Sequence, residues 1–257
     1  MAGKLVEINH LSKAFGSLVV LDNVSISVDE GENLVVFGKS GTGKSVLLKC
    51  MVGLLTPEKG EILIDGQKVL ELKIEDLNEL RKSLGFLFQS AALYDSMTVR
   101  ENLSFPLIRN FSFSQTEIDK KVERALEMVS LSSAIDKMPS ELSGGMRKRV
   151  GLARSIITEP KLMLYDEPTT GLDPITTKEI SNLIRDLQKE LKMTSIIVTH
   201  DLICAQIISD RAIVINEGKI RHQGILSELV KSEDPFMKNF FSSEYIDESK
   251  EVLNENK

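Results

Sequence analysis

The segment Gly38-Lys39-Ser40-Gly41-Thr42-Gly43-Lys44-Ser45 narrows what this chain can fold into more than any other feature. It fits G-x-x-x-x-G-K-[ST], and its setting fits too: an apolar run at residues 34–37 precedes it and a helical pattern at residues 46–51 follows. A strand, a glycine-rich turn and a helix in that order aim backbone N–H groups and a positive helix end at one point. Glycines let those groups turn inward because no Cβ stands in the way. A phosphate chain is what such a cradle selects. Lys44 brings a point charge to the β and γ phosphates, and Ser45 offers a hydroxyl to Mg²⁺. A phosphorylated nucleotide with Mg²⁺ is the ligand this loop leads one to expect.

A second half of the same site is expected at Asp166 and Glu167, which end the apolar run Leu162-Met163-Leu164-Tyr165. Acids at the carboxyl edge of a parallel sheet stand where nucleotides bind. Asp166 is expected to hold Mg²⁺, through water, and Glu167 to polarise the attacking water. A positioned base of this kind is worth about 10² to 10⁴ in rate. By itself an Asp-Glu pair after a strand is ordinarily a solvated turn; the phosphate loop upstream turns the reading.

Strand-like runs at residues 5–8, 24–28, 34–37 and 61–64 open the chain, with Asp65-Gly66 as a hairpin tip. From about Ile74 to Ser140, Leu, Glu, Lys and Arg recur at helical spacing, with Val122, Ala125, Leu126 and Val129 on one face. That stretch reads as a helical insertion between two halves of an α/β core. Beyond it, strand-length runs at residues 162–165 and 195–198 alternate with helical patterns at 146–157 and 176–191, which implies a parallel sheet covered on both faces. From about Ser242 the chain turns polar and reads as a solvated tail.

Composition excludes several classes. Among 257 residues, 32 Lys and Arg stand against 38 Asp and Glu, a net charge of -6, so no global basic field grips nucleic acid. The basic run Arg147-Lys148-Arg149 spreads over different faces of a helix and does not alter that expectation. Two cysteines, Cys50 and Cys204, are too few for a disulfide scaffold and fit a reducing compartment. No run approaches the roughly 18 to 20 apolar residues that cross a bilayer, and no apolar secretory core follows the first residues. A soluble chain, or one held at a membrane by something else, is expected.

Three further elements point to a family. Leu142-Ser143-Gly144-Gly145-Met146 opens a helix before Asp166; Gln89 follows the strand-like Gly85-Phe86-Leu87-Phe88; His200 follows a strand ending in Thr199. With Gly171-Leu172-Asp173 after the acid pair, this order resembles the ATP-binding-cassette (ABC) ATPases over about residues 5–224. The resemblance implies a P-loop α/β cassette with a parallel-sheet core, an antiparallel β-subdomain and a helical insertion subdomain at about 90–158. Residues 1–224 would be the ATP-binding domain and 225–257 a C-terminal extension with a polar tail. It also implies that Ser143, Gly144 and Gly145 cradle the γ-phosphate held by a second copy, so that ATP cements a head-to-tail homodimer. Gln89 would sense Mg²⁺ and the attacking water, His200 would touch the γ-phosphate, Asp173 would couple the two sites, and Phe15 would stack on adenine. Met146 departs from the glutamine common at that position; a thioether donates no hydrogen bond, but Ser143 and the glycines remain, so hydrolysis is expected to survive.

Within that family, the stretch from Phe88 through Ala91, Ala92, Leu93, Tyr94 and Asp95 to Asn102, the Met146 signature and residues 166–176 resemble the lipid-transport cassettes of the Mla/MCE systems. This implies an ATPase driving phospholipid transfer from the cytoplasmic face of a bacterial inner membrane, docked on integral-membrane permease subunits. An MCE-domain lipid-binding protein and small accessory subunits would complete the machine. Residues 91–94 would either meet the permease or form the insertion's own core. Phe236, Phe240, Phe241 and Tyr245 would clasp the partner ATPase. The alternatives are an importer ATPase for amino acids or another small solute, and a non-transport cassette in DNA repair or translation.

Overall fold

The computed structural model describes residues 3–242; the polar tail and Tyr245 lie outside the described residues. Five strands are parallel: β3 (Asn33–Phe37), β6 (Leu84–Leu87), β7 (Leu162–Asp166), β8 (Thr194–Thr199) and β9 (Arg211–Asn216). β10 (Lys219–Gly224) adds antiparallel to β9, giving the order β10-β9-β3-β8-β7-β6. A second, antiparallel sheet runs β2-β1-β4-β5, from β1 (Lys4–Phe15), β2 (Leu18–Asp29), β4 (Lys59–Ile64) and β5 (Gln67–Lys68). The Asp65-Gly66 tip joins β4 to β5 with both residues at positive φ, 50° and 72°, as a primed turn demands.

Period-two alternation splits each central strand between two cores. Val35 and Phe37 of β3, Met163 and Tyr165 of β7 and Ala212 and Val214 of β9 face the helices. Leu34 and Val36, Leu162 and Leu164, and Ile213 and Ile215 face the antiparallel sheet and the first two helices, α1 (Lys44–Met51) and α2 (Ile74–Lys82). The parallel sheet is thus covered on both faces, but one cover is largely a second sheet. Such two-sided burial explains why these strands read as unbroken apolar runs.

The helix-side core is built by α3 (Val99–Asn110), α4 (Gln115–Met128), α5 (Gly144–Ile156), α6 (Pro174–Leu191), α7 (Leu202–Ile208) and α8 (Leu226–Val230). The texture that begins at Ile74 is not one helical block. β6 interrupts it and pairs with β7, so α2 precedes an edge strand of the parallel sheet. Helical residues 235–242 bring Phe240 and Phe241 into the chain's own core, Phe241 edge-on to Phe37 at 5.9 Å, rather than presenting them to a neighbour.

Candidate active site

β3 ends at Phe37 and α1 begins at Lys44, so residues 38–43 form a loop at the sheet's carboxyl edge. Gly41 and Gly43 take φ of 81° and 97°, a region where a Cβ is costly. A Cβ on Gly43 would also stand 2.7 Å from Val20 O. Gly43 is the N-cap of α1 with no capping side chain, which leaves the first-turn N–H groups to an outside acceptor. Lys44 is buried; its Nζ donates to Gly38 O at 2.6 Å and lies 3.4 Å from Glu167 Oε1. Ser45 Oγ donates to Asp166 Oδ1 at 2.7 Å. A hydroxyl and a carboxylate side by side supply the hard oxygens that Mg²⁺ takes alongside phosphate and water, so the residues present fit the ion.

Glu167 follows β7 with φ of 51°, a left-handed conformation rare for a residue with a side chain. Its N–H donates to Val198 O at 2.9 Å. Its Oε2 accepts from His200 Nδ1 at 2.9 Å, from the His200 N–H at 3.4 Å and from Thr170 Oγ1 at 3.3 Å. Burial pushes this carboxyl's pKa up, but the His200 hydrogen bond and the His200 and Lys44 charges outweigh it and hold the pKa below the usual glutamate value. Thr169 Oγ1 donates to Asp201 Oδ2 at 2.8 Å, and Asp201 caps α7. A cleft of about 330 Å³ opens beside His200, between the Thr170-Gly171-Leu172 turn and α7.

Lys44, Ser45, Asp166, Glu167 and His200 are thus one connected cluster. The remaining expected residues lie around it. Gln89 follows β6, exposed. Phe15 ends β1, 48% exposed, with Lys13 Nζ over its ring at 5.1 Å from the centroid. Ser143 is the N-cap of α5, accepting from Met146 N–H at 3.3 Å, and it and Gly144 are exposed. Gly145 packs so near Asp173's helix that a Cβ would stand 3.0 Å from Thr176 Cγ2. Asp173 is the N-cap of α6, its Oδ1 accepting from the Ile175 and Thr176 N–H groups at 3.0 Å each; hydrogen bonds from Thr176 and Ile175 lower its pKa. Met146 is half-buried against the helix-side core. In the 91–94 stretch Ala91 is buried and Leu93 half-buried, as a contribution to the insertion's own core requires, while Ala92 and Tyr94 are exposed.

Sequence reasoning missed Lys148. It spread the basic run over several helix faces, but Lys148 is 6% exposed and donates to Gln89 O at 2.6 Å and Glu167 O at 3.2 Å. Its flanks are engaged as well, Arg147 with Leu142 O and Arg149 with Val129 O and Glu179. The signal was helical spacing: Lys148 shares a face with the buried Gly151, Leu152 and Ser155.

Phosphate loop, acidic strand end, exposed serine-glycine helix start and a histidine just past the next strand define a nucleotide-hydrolysing cassette of the P-loop class. The chain belongs to the ABC transporter family, whose model matches residues 21–170. It is 40% identical over 244 residues, 95% of this chain and 92% of the relative, to the intermembrane phospholipid transport system ATP-binding protein MlaF of Haemophilus influenzae. It is 39% identical, over 95% of this chain and 68% of the relative, to the probable ribonucleotide transport ATP-binding protein mkl of Mycobacterium tuberculosis. Among solved structures, the dimeric post-hydrolysis state of the ATP-binding cassette MJ0796, bound to ADP and Pi, is similar with a TM-score of 0.79 and 32% identity, over 86% of this chain and 98% of that one. The chain is an ABC ATPase, and its cofactors are ATP and Mg²⁺.

Proposed function

We propose that this chain hydrolyses ATP as a head-to-tail homodimer to drive phospholipid transfer by a membrane permease. The observation that carries the hydrolytic part is the Glu167 carboxylate: buried, held ionised, and fixed between Lys44 and His200. A carboxylate so placed takes a proton from water as that water attacks the γ-phosphate. Lys44 exchanges its Gly38 and Glu167 contacts for phosphate oxygens, where its charge offsets the negative charge that develops there. Ser45, Asp166 and Gln89 would hold Mg²⁺, which would neutralise phosphate charge. Phe15 stacks on the adenine. Ser143 and Gly144 stand exposed and Gly145 half-buried at a helix start, and they supply the γ-phosphate held by the second copy with N–H and hydroxyl donors; Asp173 couples the two sites.

No helix among the described residues is long and apolar enough to cross a membrane; a peripheral place at the cytoplasmic face rests on the likeness to MlaF. The permease partner and the MCE-type lipid-binding partner rest on the likeness to MlaF, and phospholipid as cargo rests on the same likeness. The likeness to mkl, a probable ribonucleotide transport ATP-binding protein, supports a second reading, transport of a small polar solute such as a ribonucleotide.

The two separate in one experiment. The complex that co-purifies with this chain from native membranes is reconstituted in vesicles and offered labelled phospholipid or labelled ribonucleotide. ATP-dependent movement of the lipid, lost in Glu167→Gln, is the expected result. Movement of the ribonucleotide instead overturns the lipid reading and leaves the ATPase intact.

A further inference from the structure

Helix α5 grips the catalytic edge of the sheet from one side of its surface. Lys148 Nζ donates to the main-chain carbonyls of Gln89 and Glu167, at 2.6 and 3.2 Å. Nearly one turn on, α5 passes so close to the loop after Gln89 that a Cβ on Gly151 would stand 2.8 Å from Ala91 Cβ. Arg154 Nη2 then donates to Ala91 O at 2.8 Å. Both segments gripped this way hold left-handed residues: Glu167 at φ 51°, Ala91 at 60° and Ala92 at 47°. Residues with a Cβ stay in that region only where their surroundings hold them. For Glu167 the hold is Val198 O on its N–H and Lys148 on its carbonyl.

A lysine in this position is costly. Burial lowers its pKa, opposed by the Glu167 and Asp166 charges. An apolar side chain would pack α5 without that cost, so the ammonium is explained by what it holds. The same helix begins at Ser143, the exposed serine of the signature segment.

We infer that Lys148 is a positioning residue for hydrolysis, its ammonium fastening the Glu167 backbone to the Gln89 loop and to the helix that starts at Ser143. Glu167 therefore keeps its orientation only while α5 is seated against the sheet, and displacing that helix withdraws the base. The inference rests on Glu167 being the base proposed above.

Lys148→Met keeps most of the side chain's bulk and removes its donors; Lys148→Arg keeps donors. With the full-length protein, Lys148→Met is expected to lower kcat about 10- to 100-fold, the order that a misplacement near 1 Å costs, with KM for MgATP within about twofold of wild type. Lys148→Arg is expected to recover most of that loss. A Lys148→Met kcat within about twofold of wild type overturns the inference. So does a joint loss of kcat, nucleotide binding and melting temperature that Lys148→Arg fails to restore, since that marks a structural role alone. Glu167→Gln assayed in parallel separates the two levels: if it turns over like wild type the base assignment has failed, and if it is inactive while Lys148→Met is not, only the positioning role has.

Discussion

Ser45 Oγ donates to Asp166 Oδ1 across 2.7 Å, joining the first turn of α1 to the last residue of β7. The bond brings the two halves of the site, 121 residues apart in sequence, to one point at the carboxyl edge of the sheet. The Mg²⁺ site proposed above would use these two oxygens alongside phosphate and water.

Ser45→Ala removes one of those oxygens and leaves Asp166 without its hydroxyl partner. Hydrogen bonds to charged groups contribute about 1.5–3 kcal/mol, which is about 10- to 100-fold in affinity. Titration with a fluorescent ATP analogue should show that weakening with Mg²⁺ present and little change in excess chelator.

His200→Ala acts on the Glu167 carboxyl. In the wild type that pKa lies below the ordinary glutamate value, so the His200–Glu167 contact contributes stability that is present above the unfolded-state pKa and is lost as pH falls through the folded one. Without His200, burial still pushes the carboxyl up and less opposes it. The acid limb of the kcat profile should therefore move to higher pH, together with a lower plateau. Steady-state ATPase rates between pH 5 and 8 at saturating MgATP (roughly the range where carboxylates and histidines titrate) check this.

Gly43→Ala places a Cβ at φ 97° and 2.7 Å from Val20 O. The left-handed backbone alone costs about 1–2 kcal/mol, and the close approach adds to it. Thermal melting should fall by at least about 2–4 °C, with nucleotide binding weakened in the same protein.

Lys44→Ala removes the charge that faces the phosphates while leaving the loop glycines in place. It should weaken nucleotide binding itself, in contrast to Glu167→Gln, which should keep affinity and lose about 10²- to 10⁴-fold in turnover. Equilibrium binding and turnover measured on both variants distinguish a binding charge from a base.

The phosphate loop, the acid pair and His200 were legible because each follows an apolar strand buried on both faces, whose unbroken run marks its carboxyl end. The signature segment was legible from Ser143-Gly144-Gly145 at a helix start. What the sequence hid follows from physics beyond local pattern. β6 was legible only in part: residues 85–88 read as strand-like, but they sit inside a stretch of helical composition, and the pairing with β7 that makes β6 an edge of the parallel sheet was not. The capping boxes Thr98 with Glu101 and Ser114 with Glu117 divide that stretch into α3 and α4, and they were there to be read. The burial of Lys148 could be read from its spacing with Gly151, Leu152 and Ser155, but its partners, main-chain carbonyls 59 and 19 residues away, could not. Phe240 and Phe241, expected at a neighbour, pack against Phe37 and each other, a choice set by tertiary contact.

The central claim is that two copies enclose ATP between the Lys44 loop of one and the Ser143-Gly144-Gly145 segment of the other. Sedimentation velocity of purified Glu167→Gln protein, with and without MgATP, tests it most directly. The expected result is a monomer that becomes a dimer on adding MgATP and returns to a monomer when nucleotide is removed. A protein that binds MgATP yet stays monomeric, alone and beside its co-purified permease, contradicts it.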